Sequence, residues 1–156
     1  MAREGHPCPG CFNEELWSTT GYQSLLPKEV FEDIEAAGNK FVTIVGGEPL
    51  DQYFDLIELL ELLKAGGYHI VLITHYTIKE VDKGYTRVMP LVDTIIDGPY
   101  EADKRIFDDK DVPEGVRHVI GSSNQRIWVK GDQPFVWKEE NWRRDPEVLK
   151  EAYGVV

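Results

Sequence analysis

The hydrophobic positions of the chain switch repeatedly between helical and strand-like spacing. After Pro27, apolar residues recur at helical spacing as far as Ile34, which predicts a short helix that ends at Gly38. The β-branched run at 41–45 predicts a buried strand. Similar patterns predict a helix at 52–65 with Asp51 as its N-cap, a strand at 68–74, a short helix at 78–83 and a strand at 94–96. This alternation of strands and helices indicates an α/β domain with a parallel sheet.

The last third of the chain has a different character. Eight of the eleven residues at 101–111 are charged, which predicts a solvated loop or a short exposed helix. Strand-like runs at 125–129 and 135–137 flank a Gly-Asp turn and predict a C-terminal hairpin. Residues 137–156 then form a C-terminal tail, in which the Asp-Pro pair at 145–146 predicts a last short helix.

Composition narrows the class of protein. The chain has 156 residues, 42% hydrophobic and 29% charged, which suits a single domain over 1–156 with a sizeable core. We expect a cytoplasmic protein without a membrane partner, because the sequence shows no membrane-spanning stretch, no secretory signal and only two cysteines. The net charge of −11 repels phosphate backbones, so we expect no nucleic-acid partner.

The first chemical signal is the pair Cys8 and Cys11, which have two residues between them. A redox motif of this kind needs a buried strand before it, and the few residues ahead of Cys8 leave little room for one. A structural zinc site usually needs a second cysteine pair, which the sequence lacks. Part of an iron–sulfur site and two ordinary free thiols are the other interpretations. The pair alone does not decide among them.

The second signal is a glycine-rich turn directly after the predicted strand at 41–45. Gly46 and Gly47 would let a backbone approach a ligand closely at the end of a parallel strand. Glu48 places a carboxylate at the same edge, where it could pair with an ammonium group, and Pro49 fixes the exit of the chain. An ordinary connection between a strand and a helix explains the turn equally well.

Together, the cysteine pair and the GGEPL turn resemble the radical S-adenosylmethionine enzymes. In that superfamily, a C-x-x-x-C-x-x-C motif binds a 4Fe-4S cluster through three cysteines. The remaining iron holds the methionine part of S-adenosylmethionine, and the GGE/DP turn contacts the amino group of this cofactor.

Further segments narrow the resemblance to the anaerobic ribonucleotide reductase activating proteins, over about residues 8–130. The last two of these segments are the most specific, because the wider superfamily does not share them. The segments are CPGCFN at 8–13 followed by Trp17, THY at 74–76 in the place of T-G-Y, VDTIIDGPY at 92–100 and GSSNQR at 121–126.

The resemblance implies an incomplete parallel (β/α) barrel of the radical-SAM type. It implies an enzyme that cleaves S-adenosylmethionine reductively and generates a glycyl radical on the large subunit of anaerobic ribonucleotide reductase. An electron donor such as a flavodoxin would be a second partner. The implied cluster ligands are Cys8 and Cys11. The implied cofactor-binding residues are Gly46, Gly47, Glu48, Pro49, Asp97 and Asn124.

The sequence departs from the family pattern at its start. The first cluster cysteine should lie four residues before Cys8, where this chain has Glu4, and the family carries a strand and a glycine-rich turn further upstream. We expect either that the natural start lies upstream, that a separate N-terminal piece completes the site, or that the chain has lost the radical chemistry. The last case would leave a non-catalytic subunit that binds the reductase.

Other radical-SAM reactions are the remaining alternative. The chain could activate a different glycyl-radical enzyme, or make a deazaguanine precursor, since residues 46–52 (GGEPLDQ) also suit that family. The GSSNQR segment argues against the second of these.

Overall fold

The computed structural model describes residues 9–10, 20–106, 120–130 and 142–143. The α-helices among them are α1 (Pro27–Ala37), α2 (Tyr53–Ala65) and α3 (Ile78–Gly84). The β-strands are β1 (Phe41–Ile44), β2 (His69–Ile73), β3 (Thr94–Asp97), β4 (Arg126–Lys130) and β5 (Trp142–Arg143). The predicted α/β class is confirmed. None of the helices in these ranges is long and apolar enough to cross a membrane.

The strands form one mixed sheet in the order β1-β2-β3-β4-β5. The pairs β1–β2 and β2–β3 are parallel, whereas β3–β4 and β4–β5 are antiparallel. The prediction of a parallel sheet is therefore right for β1, β2 and β3, whereas the antiparallel pairing of β4 with β3 differs from it. The described strands follow a linear order, and the barrel implied by the resemblance stays a prediction.

The antiparallel direction of β4 has a local cause. After β3, segment 98–106 doubles back along segment 121–125, where the Ile106 N–H donates to the Gly121 carbonyl and Arg105 forms a bridge with Ser122. The chain consequently enters β4 at the edge where it left β3. Parallel pairing would have required a crossover to the opposite edge.

The main core lies between the helices and one face of the sheet. Leu60 and Leu63 of α2 pack in one cluster with Ile70 and Leu72 of β2, and all four are fully buried. Each such side chain contributes about 1.5–3 kcal/mol of hydrophobic stabilisation. A smaller cluster on the other face includes Ile106, so at least one residue of the charge-rich 101–111 stretch packs in the hydrophobic core.

Strand β1 is an edge strand of the described sheet, and this corrects the expectation that it is buried. Its residues alternate between exposed and half-buried positions. Phe41 is 59% exposed, and Val45, just after the strand, is 55% exposed. A β-branched run fits an edge as well as a centre, because burial depends on what packs against both faces.

Helix ends follow the predictions with one exception. Gly38 ends α1 with φ +71°, and Gly66 and Gly67 follow α2, as expected. The predicted N-cap Asp51 is wrong, because it lies inside a 3₁₀ turn, Pro49–Gln52, that precedes α2. Glu48 caps that turn instead, because its carboxylate accepts a hydrogen bond from the Leu50 N–H.

The predicted C-terminal hairpin is only partly testable. Its first strand is present as β4, and β4 pairs antiparallel with β5. The predicted second strand at 135–137 and the short helix at 145–146 lie outside the described residues.

Candidate functional site

The glycine turn lies at the carboxyl end of β1 and presents its backbone to open space. Gly46 has φ +151°, a value that favours glycine over residues with a side chain. A Cβ atom added to Gly46 or Gly47 would meet no other atom of the described chain within 4 Å. A ligand could therefore approach the peptide groups of this turn directly.

A pocket of about 290 Å³ adjoins the turn. It lies between the start of α1, the end of β1 and the first turns of α2, and Glu48 and Asp55 give its lining acidic character. Its main apolar lining residues are Leu25, Val30, Ile44, Leu56 and Leu59. This volume and mixed lining suit part of a small molecule that carries both an apolar and a cationic group.

The Glu48 carboxylate connects the ends of β1 and β2. Its Oε1 accepts hydrogen bonds from the Leu50 N–H at 3.0 Å and from the Thr74 hydroxyl at 2.8 Å. Its Oε2 accepts one from the His75 N–H at 2.7 Å. Glu48 is only 4% exposed, and the chain itself fills three of the roughly four acceptor positions of a carboxylate.

Two opposing effects act on the pKa of Glu48. Burial raises the pKa above the ordinary value of 4.5, and the nearby Asp51 carboxylate acts in the same direction. The hydrogen bonds from His75, Leu50 and Thr74 lower it, since they stabilise the ionised form, but burial is the larger effect. The carboxylate consequently depends on these three donors to compensate for its lost hydration.

Thr74 is the other half of this connection, and its side chain is fully buried. Its hydroxyl donates to Glu48 and accepts from the Tyr76 N–H at 3.2 Å. Its backbone N–H donates to the Ile96 carbonyl of β3 at 2.9 Å. Sequence reasoning gave Thr74 no role, although a hydroxyl at the end of β2, level with an acidic turn after β1, was a usable signal.

Asp97, at the end of β3, is held entirely by protein groups. Its Oδ2 accepts from the Ile78 N–H at 2.6 Å and from Arg126 Nη2 at 2.8 Å, while Arg126 Nε donates to Oδ1 at 3.2 Å. The side chain is fully buried. It joins the end of β3, the start of α3 and the start of β4, and its predicted cofactor contact stays a prediction.

The GSSNQR segment locks the loop that follows β3. Gln125 donates to the Gly98 carbonyl at 3.1 Å and accepts from the Gly121 N–H at 2.8 Å. Asn124 Nδ2 donates to the Pro99 carbonyl at 2.7 Å. Within the described part of the chain, Asn124 Oδ1 is buried and has no hydrogen-bond partner. The sequence left loop locking and cofactor contact open, and the amide groups of both residues lock the loop.

The predicted cluster ligands Cys8 and Cys11 lie outside the described residues. Within 9–10, 20–106, 120–130 and 142–143, no group of three or more His, Cys, Asp or Glu side chains is placed to hold a metal ion. The described part of the chain therefore contains the residues predicted to bind the cofactor but not those predicted to bind the cluster.

The geometry defines an α/β protein with an accessible glycine turn at the carboxyl end of the edge strand β1. Residues 5–128 match the family model described as a 4Fe-4S single cluster domain. Because this match covers more than half of the chain, the protein belongs to the 4Fe-4S single cluster domain family.

Curated relatives agree with the motif resemblance. The relative from Escherichia coli (strain K12) is 25% identical over an alignment of 107 positions, and the alignment covers 63% of this chain and 70% of the relative. That from Pasteurella multocida is 28% identical over an alignment of 111 positions, which covers 64% of this chain and 70% of the relative. Both are named anaerobic ribonucleoside-triphosphate reductase-activating protein, which confirms the resemblance identified from the motifs. No solved structure matches the chain.

Proposed function

We propose that this chain activates an anaerobic ribonucleotide reductase by generating a glycyl radical on its large subunit. When bound, a reduced 4Fe-4S cluster and S-adenosylmethionine would supply a one-electron reductive cleavage of a carbon–sulfur bond of the sulfonium. The resulting organic radical would remove a hydrogen atom from the glycine. The observation that carries the proposal is the accessible Gly46-Gly47 turn within a chain of the 4Fe-4S single cluster domain family. The names of the relatives support the choice of the reductase as partner.

The residues of the turn fit the aminocarboxypropyl end of the cofactor. Gly46 and Gly47 leave room where side chains would stand, so their peptide groups can meet the amino and carboxylate groups of the ligand. The exposed Asp55 carboxylate at the pocket favours a cationic ligand such as a sulfonium with an ammonium group, and the buried Glu48 carboxylate adds to the acidic character there. Pro49 starts the 3₁₀ turn and fixes the direction of the chain away from the ligand.

The other proposed residues act from the neighbouring strand ends. Asp97 would hold the end of β3, the start of α3 and the start of β4 together, as its contacts with Ile78 and Arg126 indicate. The unpartnered Oδ1 of Asn124 is a candidate acceptor for a cofactor donor.

The cluster would be held by the thiolates of Cys8 and Cys11. Thiolates are the usual ligands of iron–sulfur clusters, and both residues lie within the matched range 5–128. The barrel implied by the resemblance and the docked reductase would together exclude water from the site. A flavodoxin-like donor would deliver the electron.

A second function is favoured by one observation, the glutamate at position 4. A carboxylate is a poor replacement for a thiolate on an iron–sulfur cluster, so a chain with Glu4 could bind the reductase without doing chemistry. Such a non-catalytic subunit differs from the activating enzyme in that it would neither hold a cluster nor cleave S-adenosylmethionine.

The test is anaerobic reconstitution with iron and sulfide, followed by reaction with S-adenosylmethionine and dithionite. The proposal predicts an iron–sulfur absorption band and formation of methionine and 5′-deoxyadenosine. A Cys8→Ala/Cys11→Ala variant is the matched control and should show neither. Tightly bound zinc without iron would contradict the cluster. Absence of cluster and of cofactor cleavage in a protein that still binds the reductase, measured by adding the large subunit to the same samples, would favour the non-catalytic subunit.

A further inference from the structure

We propose that Thr74 is a positioning residue for the cofactor site, acting through Glu48 on the backbone of the Gly46-Gly47 turn. This inference rests on the proposed function, since the ligand to be positioned is S-adenosylmethionine. It also changes the role expected of Glu48. The carboxylate works chiefly as a buried connection between two strand ends, and the main-chain groups of the two glycines meet the ligand.

The contacts of the Glu48 carboxylate support this division of roles. Leu50, Thr74 and His75 supply its three donors, which are two backbone N–H groups and one hydroxyl. With 4% of the residue exposed, little of this carboxylate is available to a ligand. By contrast, no described atom lies within 4 Å of the positions where side chains of Gly46 and Gly47 would begin.

The connection matters because the turn follows an edge strand, which has a paired strand on one side only. Gly46 adopts a positive φ and follows an edge strand with exposed residues on one face. Glu48 comes two residues after Gly46, and its hydrogen bond with Thr74 attaches the turn to β2. Through its own N–H, Thr74 is attached to Ile96 of β3. The turn is in this way fixed to the centre of the sheet.

A hydroxyl at position 74 is the group that the geometry requires. Thr74→Val keeps the shape but removes the donor to Glu48 and the acceptor for the Tyr76 N–H. Both partners are buried, and unsatisfied buried polar groups are unfavourable. Thr74→Ser keeps the hydroxyl and should retain the connection.

The chain offers a matched control in Thr94. Like Thr74, which directly follows β2, it is a fully buried threonine, and it begins the neighbouring strand β3. Its Oγ1 has no hydrogen-bond partner among the residues that the structure describes. Thr94→Val therefore makes the same chemical change without removing such a bond, and we expect it to leave both the turn and the cofactor affinity unchanged.

The experiment compares Thr74→Val, Thr74→Ser and Thr94→Val with the unmodified protein by two readouts. The first is amide hydrogen exchange of Leu50 and His75 without cofactor. The second is calorimetric binding of S-adenosylmethionine to cluster-loaded protein. We expect Thr74→Val to lose about tenfold in protection of the His75 amide and about tenfold in cofactor affinity. The serine variant and the Thr94 control should stay within about twofold on both readouts.

The possible failures are distinguishable. Unchanged exchange of Leu50 and His75 in Thr74→Val would overturn the connection itself. Lost protection with unchanged cofactor affinity would overturn the positioning role while leaving the proposed function intact. Failure of the unmodified, cluster-loaded protein to bind S-adenosylmethionine would overturn the proposed function, and the positioning role with it.

Discussion

The Thr74 hydroxyl donates a 2.8 Å hydrogen bond to Glu48 Oε1, across 26 positions of sequence. This bond joins the end of β2 to the turn that follows β1. Its effect is to place the acidic residue of the GGEP turn inside the protein and to leave the two glycines as the accessible part of the turn. A second connection, the ion pair between the buried Asp97 and the partly exposed Arg126, lies at the neighbouring strand end.

Replacement of the carboxylate by an amide should destabilise the protein. Glu48→Gln keeps the shape but places an NH₂ group where only acceptors fit, so at least one of the three donors loses its partner. We expect a loss of about 1–3 kcal/mol in the free energy of unfolding, measured with urea. Glu58→Gln, an exposed change on α2, should be neutral within about 0.5 kcal/mol. Equal effects of the two changes would contradict the structural role of Glu48.

The effects of Thr74→Val and Glu48→Ala should not be additive. Both changes remove the hydrogen bond between Thr74 and Glu48, so the double variant should lose less stability than the sum of the two single variants. A double-mutant cycle of urea unfolding measures this coupling, and we expect about 1–2 kcal/mol. Additive effects would show that the two side chains act independently.

The pH dependence of stability should carry the signature of Glu48. Burial raises the pKa of this carboxyl above 4.5 in the folded state. Its contribution to stability is then fully present below the unfolded value and is lost as the pH rises through the folded value. The stability of the unmodified protein relative to Glu48→Gln should therefore decline with rising pH above about 4.5. A relative stability that increases with pH over that range would mean that the folded pKa is depressed.

Alanine at position 46 should affect ligand binding more than folding. A methyl group there meets no described atom, so the folded protein bears only the backbone strain of a positive φ, about 1–3 kcal/mol. The same group would occupy space that the proposed ligand needs. Gly38→Ala is the matched control, because it also has positive φ and open surroundings but lies at the end of α1. Cofactor affinity, measured by calorimetry, should fall in the Gly46 variant alone. Equal affinities of the Gly46→Ala and Gly38→Ala variants would show that the turn does not contact the cofactor.

Loss of the Asp97 carboxylate should loosen the start of β4. Asp97→Ala leaves the Ile78 N–H and the Arg126 guanidinium without this partner. Asp97 is fully buried while the Arg126 side chain is 35% exposed, so water compensates the arginine in part. We expect a loss of about 2–3 kcal/mol in thermal or urea unfolding. Glu61→Ala, which removes an exposed pair with Arg87, should lose less than about 1 kcal/mol and provides the comparison.

The elements that the sequence predicted well depend on local patterns. Helix α1 begins at Pro27 and ends before Gly38, and β2 and α3 lie where apolar spacing placed them. These features depend only on residues close in sequence, because helix caps and hydrophobic periodicity act over a few residues. The Gly46 turn was recognised for the same reason.

The features that the sequence did not reveal depend on distant contacts. The exposure of β1 follows from its place at the sheet edge, and the direction of β4 follows from the return of segment 98–106 along 121–125. Spacing could not show that Glu48 meets Thr74, since their bond requires β1 and β2 to be paired in register. The cofactor contacts predicted for Asp97 and Asn124 stay predictions, as do the cluster ligands Cys8 and Cys11.

The most direct test of the proposed function is electron paramagnetic resonance of an anaerobic ribonucleotide reductase mixed with this protein. The sample contains cluster-loaded protein, S-adenosylmethionine and a reductant, and parallel samples omit each component in turn. We predict a glycyl radical signal on the large subunit that requires all of them, stronger with Glu4→Cys, which restores the three-cysteine spacing. A cluster and bound cofactor without any glycyl signal, in either form of the protein, would contradict the proposed function.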